Sequence, residues 1–153
     1  MSTASSLYNF GFFPLNLFVL FAFSNLAVFF SFYSFLQQLP IAPYWHGILI
    51  GLLSVSALVV RPLISTRLNA ANSIRAMAIG LGFIVLSLLL YAHVQSLIPI
   101  ILLRILHGAA YVTMVSASVT LLMECMPPDK SGQGFGIVTI MTLLPYAIIP
   151  FLL

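Results

Sequence analysis

The chain has 153 residues, of which 62% are hydrophobic and only 5% are charged, and its formal net charge is +3. Soluble domains carry about 25% charged residues, and a soluble fold this poor in charge would expose large apolar patches. We therefore expect an all-α, polytopic transmembrane helical bundle with the lipid bilayer as its surroundings. The few cations are spread along the chain and form no nucleic-acid-binding patch. The single Cys125 excludes an internal disulfide framework and a thiolate metal cluster.

The first apolar stretch, at residues 12–37, is long enough to cross a bilayer core, which needs about 20 helical residues. No Lys or Arg precedes it, and the apolar core of a signal peptide is only about 7–15 residues long. We therefore predict a retained span. Residues 39–46 form a short loop, in which Tyr44 and Trp45 are placed like membrane-interface anchors.

Four further apolar stretches follow, and each is separated from the next by a polar or proline-containing loop. They are continuously apolar, which indicates helices rather than the alternating strands of a membrane barrel. The second span is interrupted near its end by Arg61-Pro62, and Ser96 is placed to cap the fourth helix. The predicted spans cover residues 47–66, 76–94, 97–125 and 134–153, with loops at 67–75, 93–96 and 126–133.

The last predicted span barely crosses a bilayer, since about 20 helical residues cover about 30 Å, and no polar tail follows Leu153. We therefore expect a truncated chain or a fragment of a longer reading frame. A complete five-span protein is the alternative.

The cations predict the orientation of the chain in the membrane. The loops at 67–75 and 126–133 lie on the same side, and the opposite loops hold no Lys or Arg. The positive-inside rule places the N-terminus and both cationic loops in the cytoplasm. The residues that decide this are Arg61, Arg67, Arg75 and Lys130.

The chemistry of the chain is concentrated in the fourth span. Arg104 lies well inside it, at a cost of roughly 2.5–3.5 kcal/mol on insertion scales. Either its side chain snorkels to the outer interface, or it faces a cavity, where it holds an anion or repels a proton. His107 and Tyr111 share its helix face, and a histidine there either titrates near neutral pH or serves as a hydrogen-bonded packing residue. Asn25, central in the first span, needs a partner helix or a cavity because its amide is not easily satisfied on its own helix.

Small residues predict where helices approach closely. Gly108 favours close helix contact, and the pairs Gly47/Gly51 and Gly132/Gly136 have the four-residue spacing of packed membrane helices. His46 and His93 lie at the outer edge, where we expect them to be solvated. No His and acidic residues have metal-ligand or catalytic-triad spacing inside one span, so we predict no enzyme activity, metal or cofactor.

Several motifs resemble those of the major facilitator superfamily. The stretch from Arg104 to Gly108 is similar to the signature of its fourth helix, in which Arg is followed by two residues, Gln and Gly; His107 replaces the Gln. Arg61-Pro62-Leu63 resembles the start of the loop between helices two and three in many bacterial members. The remaining similar positions depart from the pattern of the family. Asn69 and Asn72 stand where the family has Asp and Gly, and Arg75 is what is left of its basic run. In the loop from Pro127 to Gly132, Ser131 replaces an Arg, and Pro150 resembles a kink motif without its glycines.

The resemblance implies about the first five of twelve helices of such a transporter, in a bacterial inner membrane. Its expected function is secondary transport of small molecules, namely proton-coupled efflux, with a site between two helical halves near the midplane. Residues 1–153 would then be part of the N-terminal half, and the missing C-terminal helices or a second chain would be its partner. The alternative is a non-transporting membrane fragment that needs a partner half or is inert.

The resemblance also implies two sets of functional residues. The first set lines the pathway of substrate and proton, with Arg104 as the coupling or anion-contact group: Asn25, Arg104, His107 and Tyr111. The second set forms a cytoplasmic gating loop, in which Asn69 lacks the charge of the family's Asp: Arg61, Asn69, Asn72 and Arg75.

Overall fold

The computed structural model describes residues 11–152, and every regular element in this part of the chain is a helix. Two consecutive helices, joined by a 3-10 turn at Phe29–Ser31, make up the first apolar stretch. Each of the following three stretches is one continuous helix, and short 3-10 turns at Pro128–Lys130 and Ile149–Phe151 flank the last helix. The helices are α1 (Phe12–Val28), α2 (Phe32–Gln37), α3 (Tyr44–Ser65), α4 (Ala70–Tyr91), α5 (Leu97–Cys125) and α6 (Ser131–Ile148).

Five helical segments are long and apolar enough to cross a membrane, as the sequence predicts. The all-helical prediction is confirmed. The segments are Phe12–Gln37, Tyr44–Ser65, Ala70–Tyr91, Leu97–Cys125 and Pro128–Phe151. The first and fourth agree with the predicted limits at both ends.

The limits of the other three spans differ from the predicted ones. The second begins at Tyr44 rather than 47, and its helix continues through Pro62 to Ser65 without the predicted interruption. The fifth begins in the Pro128–Lys130 turn rather than at 134, and the last residue of its predicted range lies outside the described residues.

The third span shows the largest shift, because α4 begins at Ala70 rather than 76. The polar residues that precede its apolar run are the first turn of the helix, not a loop. Asn69 and Asn72 form a reciprocal capping box, in which each side chain accepts from the other's backbone N–H at 2.9–3.0 Å. Such polar side chains satisfy backbone N–H groups that have no partner within a helix. Ser96 occupies the cap position of α5, but its side chain makes no capping hydrogen bond, contrary to the prediction.

The helix α5 is the centre of the bundle. About half of the residues in its most apolar stretch are buried, against 11–28% in the corresponding stretches of the other four segments. It packs against α1, α3 and α4, while α6 packs against α1. Although α3 and α4 are consecutive in the sequence, they pack on α5 and make at most slight contact with each other.

Two glycines allow the closest helix crossings. A Cβ at Gly108 of α5 would lie 2.5 Å from the carbonyl oxygen of Leu53 in α3, and one at Gly80 of α4 would lie 2.9 Å from that of Ala110. Only a residue without a side chain permits backbones to approach this closely. Gly80 is not predicted by the sequence analysis.

The packing role predicted for Gly47 and Gly51 is wrong for the part of the chain that the structure describes. A Cβ at either position would meet no atom within 4 Å, and the same holds for Gly132 and Gly136. The buried face of α3 is formed instead by larger residues, because this face of the helix meets α5: His46, Leu49, Leu53 and Ser56.

Candidate functional site

Arg104, in the third turn of α5, is buried, with 3% of its surface exposed. Its Nε donates to the carbonyl oxygen of Leu49 at 2.9 Å, and its Nη2 donates to that of Ile50 at 3.1 Å. The guanidinium is therefore turned toward α3 and hydrogen-bonds to its backbone. Backbone carbonyls are among the partners that a cation inside a membrane protein uses to offset its desolvation.

Two phenylalanine rings complete the surroundings of this cation. The guanidinium carbon lies 4.1 Å from the ring centroid of Phe32 and 5.1 Å from that of Phe29. Both distances are within the range of a cation–π interaction, which stabilises a desolvated cation by about 2 kcal/mol or more. Among the described residues, the hydrogen bonds of Arg104 go to carbonyl oxygens and none to a carboxylate.

His107, one turn along α5, is completely buried and connects to the first span. Its Nε2 lies 3.1 Å from Oδ1 of Asn25. Because a carbonyl-type oxygen only accepts, this assignment of the amide places the imidazole proton on Nε2. Nδ1 is then an acceptor, and it has no hydrogen-bond partner within the described structure. The ring of Phe29 contacts both groups: its centroid lies 4.7 Å from that of the His107 ring, edge-on, and 5.1 Å from the guanidinium carbon of Arg104.

Asn25, Phe29, Phe32, Arg104 and His107 thus form one cluster. Tyr91, at the end of α4, also belongs to it, although the sequence analysis does not select this residue. Its ring packs against Phe29, Phe32 and His107. Its hydroxyl lies beside the Arg104 guanidinium without the geometry of a hydrogen bond. Both this hydroxyl and Nη1 of Arg104 are buried with no hydrogen-bond partner among residues 11–152. The direction of side chains on a helix could have indicated Tyr91. Side chains tilt toward the N-terminus of their helix, so Arg104 reaches back toward the turn that joins α4 to α5.

Tyr111 is buried one helical turn beyond His107 on α5 and lies outside the cluster. Its ring makes an edge-on contact with Phe23, and its hydroxyl has no hydrogen-bond partner in the described residues. The predicted set is thus divided: the structure brings Asn25, Arg104 and His107 together and leaves Tyr111 apart.

Two adjoining cavities between α1 and α3 form a trough beside the cluster. One has a volume of about 260 Å³ and includes Arg104, Phe30 and Tyr146 among its lining residues. The other has a volume of about 390 Å³ and includes Tyr111 and Arg61. Three residues line both cavities and join them: Leu26, Leu53 and Ser54.

The prediction that four residues line one cavity is therefore corrected. Arg104 and Tyr111 line the trough, whereas Asn25 lines a separate cavity of about 130 Å³ that faces α4. His107 lines neither part of the trough, because it is closed in completely by its neighbours.

The residues predicted as a gating loop occupy different places. Arg61 lines the trough, while Asn69 and Asn72 hold the start of α4 in their capping box. The Asn72 amide also donates to the carbonyl oxygen of Arg67 at 2.7 Å, which fixes the short connection between α3 and α4. Arg75 lies in the second turn of α4 and is exposed.

His46, expected to be solvated, is 5% exposed. Its Nε2 lies 3.3 Å from the carbonyl oxygen of Ile41, and its ring packs edge-on against Tyr33. Within residues 11–152, no three His, Cys, Asp or Glu side chains lie close enough together to hold a metal ion.

No family model matches the chain, and comparison with the curated proteins and with the solved structures likewise gives no match.

Proposed function

We propose that the chain is a helical part of a secondary transporter of small molecules, of the major facilitator type, that works in proton-coupled efflux. The observation that carries the proposal is the buried cation Arg104, which lies beside a trough between membrane-spanning helices. A buried cation inside a span costs several kcal/mol, and such residues mark substrate or ion pathways in membrane proteins. The Arg-x-x-His-Gly pattern from Arg104 supports the choice of family.

The trough supports the choice of a small-molecule substrate. Its larger part, of about 390 Å³, has the volume of a small-ligand site, and the smaller part, of about 260 Å³, adjoins it. Its walls are mostly apolar and aromatic, with a few polar groups: Ser54, Arg61, Arg104, Tyr111, Ser116 and Tyr146.

His107 supports the choice of the proton as the coupled ion. Its Nδ1 is an acceptor with no partner in the part of the chain that the structure describes, and the residue lies one helical turn from Arg104. Protonation there places a second cation in the cluster, which raises the cost of keeping Arg104 buried. Release of one cation into the trough would then follow uptake of a proton. In this scheme Asn25 orients the imidazole, and Arg104 responds to its charge.

The test is pH-gradient-driven efflux of a panel of lipophilic dyes from vesicles that contain the protein. Arg104→Ala is expected to abolish efflux, and so is Arg104→Met, which retains most of the side-chain volume. Lys130→Met, which removes a cation outside the cluster, is the matched control and should retain efflux. Unchanged efflux in both Arg104 variants would refute the proposed role.

The second candidate is a non-transporting helical piece that acts only with further helices. The weak burial of α6 favours it, since only 11% of its apolar window is covered in this structure. Large apolar side chains on α6, such as Ile140 and Leu143, are about 60% exposed. Lipid or further helices must cover this face. Absence of efflux from vesicles of the chain alone would favour this candidate, and efflux from the chain alone would count against it.

A further inference from the structure

A cationic groove lies at the end of the bundle where α3 ends and α4 begins. It has a volume of about 420 Å³ and opens between these two helices, which pack on α5 and leave a gap between themselves. It shares no lining residue with the trough. The residues that line it are of two kinds: the polar Arg67, Asn72 and Arg75, and an apolar floor that includes Leu63 and Ile79.

We propose that this groove binds one anionic phospholipid of the surrounding bilayer, with the phosphate held between Arg67 and Arg75 and an acyl chain along the apolar floor. This inference does not depend on the proposed transport function.

The distribution of charge identifies the head group. Two arginines line the groove and no carboxylate does, so a phosphate placed there meets attraction only. Arg67 lies two residues beyond the end of α3, and Arg75 lies about 7 Å along α4. Both are therefore at the depth of the lipid head groups, where the long Arg side chain keeps its charge at the interface. Basic pockets between spans at this depth are sites for acidic lipid head groups.

The groove is held open before a lipid arrives. Asn69 and Asn72 cap α4 reciprocally, and the amide of Asn72 binds the carbonyl oxygen of Arg67. These hydrogen bonds fix the position of the backbone at Arg67, which supplies one of the two cations of the groove. Pre-organisation of this kind lowers the entropy lost on binding.

The apolar floor identifies the ligand as a lipid rather than free phosphate. Leu63 and Ile79 are 63% and 59% exposed within the chain, so their side chains need an apolar neighbour. An acyl chain supplies that neighbour together with the phosphate, whereas inorganic phosphate leaves the floor uncovered.

The experiment is a lipid titration of the full chain in detergent, followed by native mass spectrometry. The probes are dioleoyl phosphatidylglycerol, dioleoyl phosphatidylcholine of the same chain length, and inorganic phosphate. The wild-type chain should retain one phosphatidylglycerol in clear preference to phosphatidylcholine, and excess phosphate should not displace it. Equal retention of the two lipids, or displacement by phosphate, would overturn the proposal.

Variants locate the site. Arg67→Gln and Arg75→Gln should each weaken phosphatidylglycerol binding about fivefold, and the double variant should lose the preference between lipids. Arg67→Lys with Arg75→Lys retains the charge and should retain most of the preference. Arg61→Gln removes an equal charge at the same end of the bundle but outside the groove, so it should bind as the wild type does. A preference that persists in the double Gln variant, or is lost equally in Arg61→Gln, would place the lipid elsewhere.

Discussion

Nε of Arg104 donates a hydrogen bond of 2.9 Å to the carbonyl oxygen of Leu49, so a buried cation ties α5 to α3. The carbonyl of Ile50 accepts a second bond from the same guanidinium. Arg104 therefore lines the trough and joins two spans at the same time. Variants of different size and charge can separate the two roles.

Arg104→Met should leave the protein about as stable as the wild type. Leu49 and Ile50 lie inside α3 and retain their helical hydrogen bonds, and replacement of a buried charge by an apolar side chain of similar volume is often neutral or stabilising. Arg104→Ala, which also creates a cavity, should lose about 2–5 kcal/mol. Denaturant unfolding in micelles measures both. Equal losses would show that the hydrogen bonds to α3 are themselves required for the fold.

Gly108→Ala should destabilise the bundle by about 1–3 kcal/mol, because its Cβ would lie 2.5 Å from the carbonyl oxygen of Leu53. The backbones cannot relieve this clash unless α3 shifts relative to α5. Gly51→Ala is the matched control, since its Cβ meets no atom within 4 Å and alanine favours a helix over glycine. Thermal unfolding of the two variants in the same detergent measures the difference. Similar effects at both positions would contradict the helix crossing.

Asn25 and His107 should show a positive coupling energy in a double-mutant cycle. The 3.1 Å contact between the amide oxygen and Nε2 is lost in either single variant, so the double variant costs less than the sum. Interhelical hydrogen bonds in membranes contribute about 0.6 kcal/mol on average, which sets the expected size. The variants are Asn25→Ala, His107→Ala and their combination. Nitrogen NMR of the wild-type protein should find the imidazole proton of His107 on Nε2. Strictly additive losses of stability in the double variant would contradict the contact.

Asn69→Ala should lose about 0.5–2 kcal/mol, the usual cost of removing a helix cap. Asn69 accepts from the backbone of Asn72 at 3.0 Å, and alanine offers no acceptor there. Asn69→Asp is the informative comparison, since its carboxylate keeps an acceptor at this position and adds a negative charge. It should retain the cap and gain from the positive end of α4. Hydrogen exchange of the first-turn amides of α4 reports on the cap directly, and an unchanged exchange rate in Asn69→Ala would count against it.

The outline of the fold could be predicted because apolar length is a local property of the sequence. The spans 12–37 and 97–125 are bounded by prolines and polar residues, and their limits agree with the structure. The start of α4 could not be located in this way. Asn69, Asn72 and Arg75 look like a loop by polarity, but polar side chains are also what the first turn of a helix prefers. Polarity alone does not distinguish the two.

The site could be predicted only within one helix. The three- and four-residue spacing places Arg104, His107 and Gly108 on one face of α5, and that face is the buried one. Their partners come from other helices, and the sequence does not state which helices are neighbours. For the same reason Gly47 and Gly51 share a face, but nothing in their spacing indicates that this face points away from α5.

The central position of α5 has a consequence for biosynthesis. Because α3 and α4 pack on α5 and scarcely on each other, the spans that leave the translocon first have few protein surfaces to settle on. We expect their assembly to wait until residues 97–125, their main shared packing partner, have been inserted. A ribosome stalled before codon 97 should therefore leave the earlier helices largely unassembled.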